Sequence, residues 1–113
     1  MHTPNYFDAV RPATVPADTY PAILTNSERG VYFGWIRPED ADAESRNIRT
    51  WGVRNCYFWD TNEGIGSLAQ TGPGPKAKIG APVTEAILGL KANVFFCEIS
   101  AVEAFNTAVW YNG

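Results

Sequence analysis

Histidine and cysteine are scarce in this chain of 113 residues, and their scarcity argues against several kinds of chemistry. The one histidine is His2, in a proline-bearing N-terminal stretch, and the two cysteines are Cys56 and Cys97. A serine or cysteine nucleophile therefore has no histidine in the body of the chain to act as its base. Two separated cysteines and one terminal histidine also make no zinc pattern. These absences favour a binding protein over an enzyme, because binding needs only shape, stacking and charge.

Long apolar runs are missing too. No hydrophobic stretch approaches the roughly 18 residues that indicate a membrane-spanning helix. Residues 1–5 lack the basic and apolar regions of a signal peptide. Cys56 and Cys97 are each flanked by aromatic residues, and we interpret both as buried, reduced thiols. Together these features predict a single domain that resides in the cytoplasm.

The charge is low overall but unevenly distributed. The net charge of −3 argues against general binding of nucleic-acid polymers. Residues 46–78, however, hold five basic and two acidic side chains, a local balance of +3, so the rest of the chain carries −6. On a short chain this asymmetry can arise by chance. The alternative is a local basic pocket on an acidic body.

What the chain does contain is a series of short strand signals, each bounded by residues typical of turns. They predict one α+β domain with a mostly antiparallel, strongly bent sheet or open barrel of five to six strands and two short helices. Residues 1–18 are expected to form a tail with one helical turn, whose apolar residues could dock on a neighbouring subunit, and residues 19–113 the domain. The predicted strands are residues 20–25, 31–37, 47–53, 54–59 and 92–99, with an extended segment at 76–88.

The remaining segments are expected to form a loop and two helices. The acidic residues 38–45 predict a solvated loop. Residues 64–70 have an apolar face at helical spacing, and Gly72 can end that helix. A second helix is predicted to begin after Ser100, which has Glu103 at the spacing of a capping box.

The stretch from residue 47 to residue 72 holds the candidate site. Guanidinium groups beside aromatic rings suit a flat, negatively charged ligand. We expect Arg54 and a second basic residue to neutralise phosphates while Tyr57 or Trp59 stacks on a base. Strand alternation places Arg54 and Tyr57 on opposite faces, so they share one cleft only if a bend or a second subunit intervenes. The candidate ligand-binding residues are Arg49, Arg54, Asn55, Tyr57, Trp59, Lys76 and Lys78.

Aromatic residues are abundant for a domain of this size, with four Trp, five Tyr and six Phe. Some of them must pack against another subunit or form an exposed patch. We therefore expect a homo-oligomer, with Tyr6, Phe7, Trp110 and Tyr111 at the interface.

The order of several sequence blocks resembles a known family over about residues 20–111. The blocks are an early Gly-Val-x-x-Gly-aromatic strand at residues 30–35, the central strand with its following Leu-Ala pair and glycine, a small-Pro-Val strand at 81–83, and an acidic-aliphatic strand leading to a helix that ends at Trp110. In the central block the matching residues are Arg54, Tyr57, Trp59, Leu68, Ala69 and Gly72. This arrangement is similar to small phage-encoded proteins with a domain of unknown function, related to the first type of Thoeris anti-defence protein.

The resemblance implies an oligomeric, β-rich sponge protein. Such a protein binds a cyclic ADP-ribose isomer, or in some cases a cyclic oligonucleotide, and holds it without cleaving it in the cytoplasm of the infected bacterial host. It implies no cofactor and no metal. Two other classes stay open at this point: a protein–protein inhibitor of a host factor or virion accessory protein, and a nucleotide-cleaving enzyme, for which the sequence offers no catalytic group.

Overall fold

A single antiparallel sheet with short helices on its faces forms the body of the computed structural model, which describes residues 6–25, 30–42, 47–58, 65–89 and 93–108. Within these ranges the strands are β1 Tyr20–Thr25, β2 Val31–Ile36, β3 Asn47–Phe58, β4 Lys78–Ile79, β5 Val83–Gly89 and β6 Asn93–Phe96. The helices are α1 Pro38–Asp42, α2 Ile65–Thr71 and α3 Ile99–Thr107, and a 3₁₀ turn covers Tyr6–Ala9. The α+β class predicted from the sequence is confirmed.

The strands pair in the order β4-β3-β2-β1-β6, and β5 also pairs with β3, alongside β4. Every pairing is antiparallel. The β1–β2 hairpin runs in unbroken register from Tyr20 opposite Ile36 to Thr25 opposite Val31. No strand among the described residues joins β6 to β4 or β5, so the sheet is open.

The two faces of the sheet are covered unequally. The main core lies between the sheet and helices α2 and α3, where Phe33 and Trp35 of β2 meet Leu68 of α2 and Phe105 of α3. The rings of Phe33 and Phe105 stack with centroids 4.2 Å apart. The opposite face carries a smaller cluster on which Ala41 of α1 packs. The helix-covered face therefore holds most of the buried apolar surface.

Strand β3 is one continuous strand rather than the two that the sequence analysis predicted. Gly52, near the boundary between the two predicted strands, has φ +59°. Opposite β2, Phe33 pairs with Arg54 and Trp35 pairs with Trp51, so β3 carries one extra residue there. Such a bulge shifts the alternation of side chains between the faces. As a result, Trp51 and Arg54 lie on the helix-covered face.

Two further local predictions are wrong. Residues 38–42, predicted to be loop, form helix α1, because Pro38 suits the first helical position and Glu39 and Asp40 in the first turn favour the helix dipole. Helix α3 begins before Ser100, and its N-cap Glu98 makes no side-chain capping bond. The hydroxyl of Ser100 instead donates to the carbonyl of Gln70, at 2.7 Å, and links α3 to α2.

The buried strand predicted at residues 92–99 is a shorter edge strand, β6. It pairs only with β1 among the described residues, and Phe95 and Phe96 are 37% and 48% exposed. Its hydrophobic run resembles a central strand, which is why the sequence pattern did not reveal its position at the edge.

The predicted tail packs on its own domain over residues 6–18. Phe7 and Val15 are buried in the main core, and the ring of Phe7 meets that of Tyr20 edge-on at 6.2 Å. Phe7 is therefore buried within its own chain, and its predicted place at a subunit interface stays a prediction. Of the other predicted interface residues, Trp110 and Tyr111 lie outside the described residues.

The two cysteines are free and buried, as predicted. Burial raises the pKa of the Cys56 thiol to about 12 and raises the pKa of the Cys97 thiol as well. Both thiols are therefore protonated and unreactive at neutral pH.

No helix in the described ranges is long and apolar enough to cross a membrane.

We expect Gly52→Ala to destabilise the protein by about 1–2 kcal/mol, because a side chain in the left-handed region is strained. Chemical denaturation monitored by circular dichroism measures the change. Gly80→Ala is the matched control: a Cβ at position 80 makes only ordinary contacts, at 3.5 Å or more. Equal unfolding free energies for the two variants would contradict the role assigned to the bulge.

Candidate functional site

Arg54 is the buried charge at the centre of the candidate site. It is 5% exposed and lies on β3, on the helix-covered face. Its Nε donates to the carbonyl of Gly80 at 2.7 Å, Nη1 donates to the carbonyl of Phe105, and Nη2 donates to the carbonyl of Ala108 at 3.3 Å. One guanidinium thus joins β3, the loop before β5 and the end of helix α3.

The C-terminal end of helix α3 stabilises the buried charge of Arg54. Phe105 and Ala108 are at its C-terminal end, where carbonyl groups carry the negative end of the helix dipole. Burial still lowers the pKa of Arg54, since removing the guanidinium from water disfavours its charge. No carboxylate of the described residues forms an ion pair with Arg54. The charge is hydrogen-bonded but is not neutralised by an acid.

Arg54 lines a cleft of about 320 Å³. Phe33 and Trp35 of β2 and Gly52 of β3 contribute to its base, and both aromatic residues are almost fully buried. Three segments form its rim: Pro12 and Thr14 from the N-terminal segment, Pro82, Val83 and Thr84 at the start of β5, and Asn106 of α3. The volume is at the lower end of the range of about 300–1,000 Å³ for small-molecule sites.

The side chains of the cleft can recognise an anion and a polar ring or sugar. Each Nη group of Arg54 carries a second N–H that the three carbonyl bonds do not use. Thr14, Thr84 and Asn106 add hydroxyl and amide groups at the rim. The lining has no carboxylate, thiol, imidazole or amine, which are the usual groups for acid–base or nucleophilic work. Elsewhere in the described chain, no cluster of three or more potential metal ligands occurs.

The structure does not bring the seven predicted site residues together. Arg49 lies at the other end of β3, where its Nε is 3.3 Å from a carboxylate oxygen of Glu85 on β5. Asn55 and Tyr57 alternate with Arg54 and lie toward the opposite face, and Tyr57 is 57% exposed. None of these three lines the cleft.

The two predicted lysines lie near the short strand β4. Lys78 is in β4, paired with Phe58, and Lys76 is in the turn before it; both are exposed. Neither lines the cleft with Arg54. Trp59 lies outside the described residues.

Most of the cleft could not be predicted from the sequence. The sequence correctly predicts Phe33 and Trp35 inside a strand. Their proximity to Arg54, however, depends on the extra residue in β3. Thr14, Thr84 and Asn106 come from three separated segments, and no local pattern links them. The one available signal is Gly52, because a glycine inside a strand pattern favours a bulge or bend, but it does not indicate which face Arg54 takes.

We expect Arg54→Met to destabilise the protein by about 1–3 kcal/mol, because it leaves buried carbonyl groups without a donor. Arg49→Met on the same strand is the control. Its exposed pair with Glu85 is worth about 0–1 kcal/mol. Denaturant titration compares the two variants, and a loss for Arg54→Met no larger than that for Arg49→Met would show that the carbonyl contacts do not stabilise the fold.

A comparison with protein-family models gives one match, to "Domain of unknown function (DUF6948)", over residues 19–105. No curated protein and no solved structure matches the chain. The matched range includes all six strands and the base of the cleft, with Phe33, Trp35, Gly52 and Arg54. Since the match covers well over half of the sequence, the chain belongs to the DUF6948 family.

Proposed function

We propose that this protein binds a small anionic ligand in the cleft at Arg54 and holds it without chemical change. The observation that carries the proposal is a buried guanidinium that lines a cleft and has no carboxylate partner among the described residues. An anionic ligand would supply the missing counter-charge, and charge-assisted hydrogen bonds to it would be strong. The lining residues supply recognition groups rather than a nucleophile and base.

A nucleotide is the ligand class that these groups favour. The guanidinium suits a phosphate, and the threonine and asparagine side chains at the rim suit the polar edges of a base or ribose. The resemblance stated above narrows the class to a cyclic ADP-ribose isomer or a cyclic oligonucleotide. On this proposal the protein sequesters such a signal in an infected bacterium, so that the immune effector stays inactive.

The test places a carboxylate in the cleft. Thr84 is exposed and lines the rim, so we expect Thr84→Glu to fold normally but to weaken binding by roughly tenfold or more, through like-charge repulsion of the ligand. Thr84→Gln has the same size without the charge and serves as the matched control, so the loss of affinity in Thr84→Glu beyond that in Thr84→Gln measures the repulsion. Titration calorimetry against inorganic pyrophosphate, cyclic ADP-ribose isomers and cyclic oligonucleotides measures both.

The same samples distinguish storage from cleavage. After denaturation of the complex, chromatography should recover the bound compound intact. Recovery of products would contradict storage and indicate an enzyme. If wild type took up none of these compounds, or if Thr84→Glu and Thr84→Gln bound equally well, a phosphate site at Arg54 would be excluded.

A second candidate function uses the surface instead of the cleft. Large apolar side chains are exposed on both edge strands: Val83 and Ile87 on β5 are 53% and 59% exposed, and Phe96 on β6 is 48% exposed. Exposed hydrophobic patches often mark protein contacts. The partner would be a host factor, as in an inhibitor or virion accessory protein, or a further copy of this chain.

We expect the protein to form a homo-oligomer through one of these edges. Multi-angle light scattering at micromolar concentration should give a mass above the 12.4 kDa of a single chain. Phe96→Ser and Ile87→Ser then identify the edge, since only the variant at the contact should lower the mass. A single-chain mass for wild type would contradict assembly and leave the exposed edges for a different partner.

A further inference from the structure

The rim of the cleft includes a segment that lies outside the family match. Pro12 and Thr14 precede residue 19, and Asn106 follows residue 105, whereas the other lining residues fall inside the matched range. The guanidinium of Arg54 at the base of the cleft and this part of the rim thus come from different parts of the sequence. We name residues 10–14 the N-terminal wall.

The N-terminal wall is fixed from both sides. The backbone N–H groups of Val10 and Arg11 donate to the carbonyl of Phe7, each at 3.0 Å, and the N–H of Val15 donates to the carbonyl of Pro12 at 3.0 Å. Phe7 and Val15, which flank the wall, are both buried in the main core. The segment is therefore held at each end by a core side chain and a backbone turn.

Arg11 fastens the middle of the wall to the sheet. Its side chain is 6% exposed and pairs with Asp8, and its Nη2 donates to the carbonyl of Thr19 at 2.6 Å. Its guanidinium lies over the ring of Trp35, 5.4 Å from the ring centroid, and its Nε has no hydrogen-bond partner among the described residues. A cation–π contact of this kind holds the wall against an aromatic residue of the cleft base.

Helix α3 holds the wall from the other side. The side-chain amide of Asn106 donates to the carbonyl of Val10 at 3.3 Å. Asn106 also lines the cleft, and its neighbour Phe105 accepts a hydrogen bond from Arg54. The wall and the guanidinium are consequently tied to the same turn of α3, so their separation is set by the fold.

We propose that the N-terminal wall determines which ligands this cleft admits, with Thr14 as the residue that limits the space beside Arg54. This inference rests on the proposed function, because it concerns the same cleft. A fixed wall excludes ligands that are too large for the space in front of Thr14. A small anion reaches the guanidinium without that space, whereas a nucleoside attached to the anion requires it. The ligand class is therefore a phosphate ester whose organic part is limited by the wall.

The test compares two probes that share one anionic group, inorganic pyrophosphate and ADP. ADP carries the pyrophosphate plus an adenosine that requires space. We expect Thr14→Leu to weaken ADP binding by about tenfold or more while pyrophosphate affinity stays near wild type. Thr14→Ser keeps the hydroxyl but removes a methyl group, and the larger space should raise ADP affinity. Titration calorimetry with the full chain measures the ratio of the two affinities.

Ala13→Leu is the matched control, because Ala13 is exposed, adjacent in sequence and not part of the lining. It should leave the affinity ratio unchanged, and circular dichroism should show equal melting temperatures for all three variants. If Thr14→Leu and Ala13→Leu gave the same ratio as wild type, the wall would not select ligands, while binding at Arg54 would stand. If wild type bound neither probe, this inference would be overturned, whereas the proposed function is decided separately by the titrations with cyclic nucleotides.

Discussion

The burial of one positive charge constrains the whole architecture. Arg54 is held by three backbone carbonyls from two separate segments, and these bonds replace the water that a guanidinium would otherwise retain. These bonds require the end of α3 to pack against the centre of β3. They also hold Gly80, the residue after β4, beside Arg54. Gly80 is fixed in the same place by its own N–H, which donates to the carbonyl of Asn55 at 2.8 Å. The helix-covered face, the cleft and the start of β5 all take their positions around this group.

Arg54 has both a structural contact and a place in the cleft. It joins β3 to the end of α3, and it also lines a cleft with polar groups at its rim. Among the described residues, only carbonyl dipoles offset its charge, and these stabilise a cation without cancelling its field at short range. On the proposed function, an anion entering the cleft would meet a donor that folding has already oriented, which is the basis of preorganised recognition.

Local sequence patterns determined the elements of this fold better than their arrangement. Residues 20–25 and 31–36 are apolar runs separated by residues typical of turns, so the first hairpin could be predicted to within a residue. Helix α2 and its end at Gly72 followed from the spacing of Leu68 and Ala69 and from the freedom of glycine at φ +82°. The burial of Arg54 was not predictable, because it depends on carbonyls 26 to 54 residues away and on the bulge at Gly52. The edge position of β6 was not predictable for a related reason. Phe95 and Phe96 look like core residues until the pairing of the sheet is known.

The bonds of Arg54 also bear on how the chain matures. Two of the three acceptors lie 51 and 54 residues beyond the arginine. During synthesis β3 leaves the ribosome long before residue 108 exists, and in that interval the guanidinium must stay in water or take other partners. The first hairpin can form early from local contacts, but the cleft can close only when α3 emerges and docks. The candidate cleft is thus the last part of the described chain to assemble, so an incomplete chain that already contains the sheet still lacks the cleft.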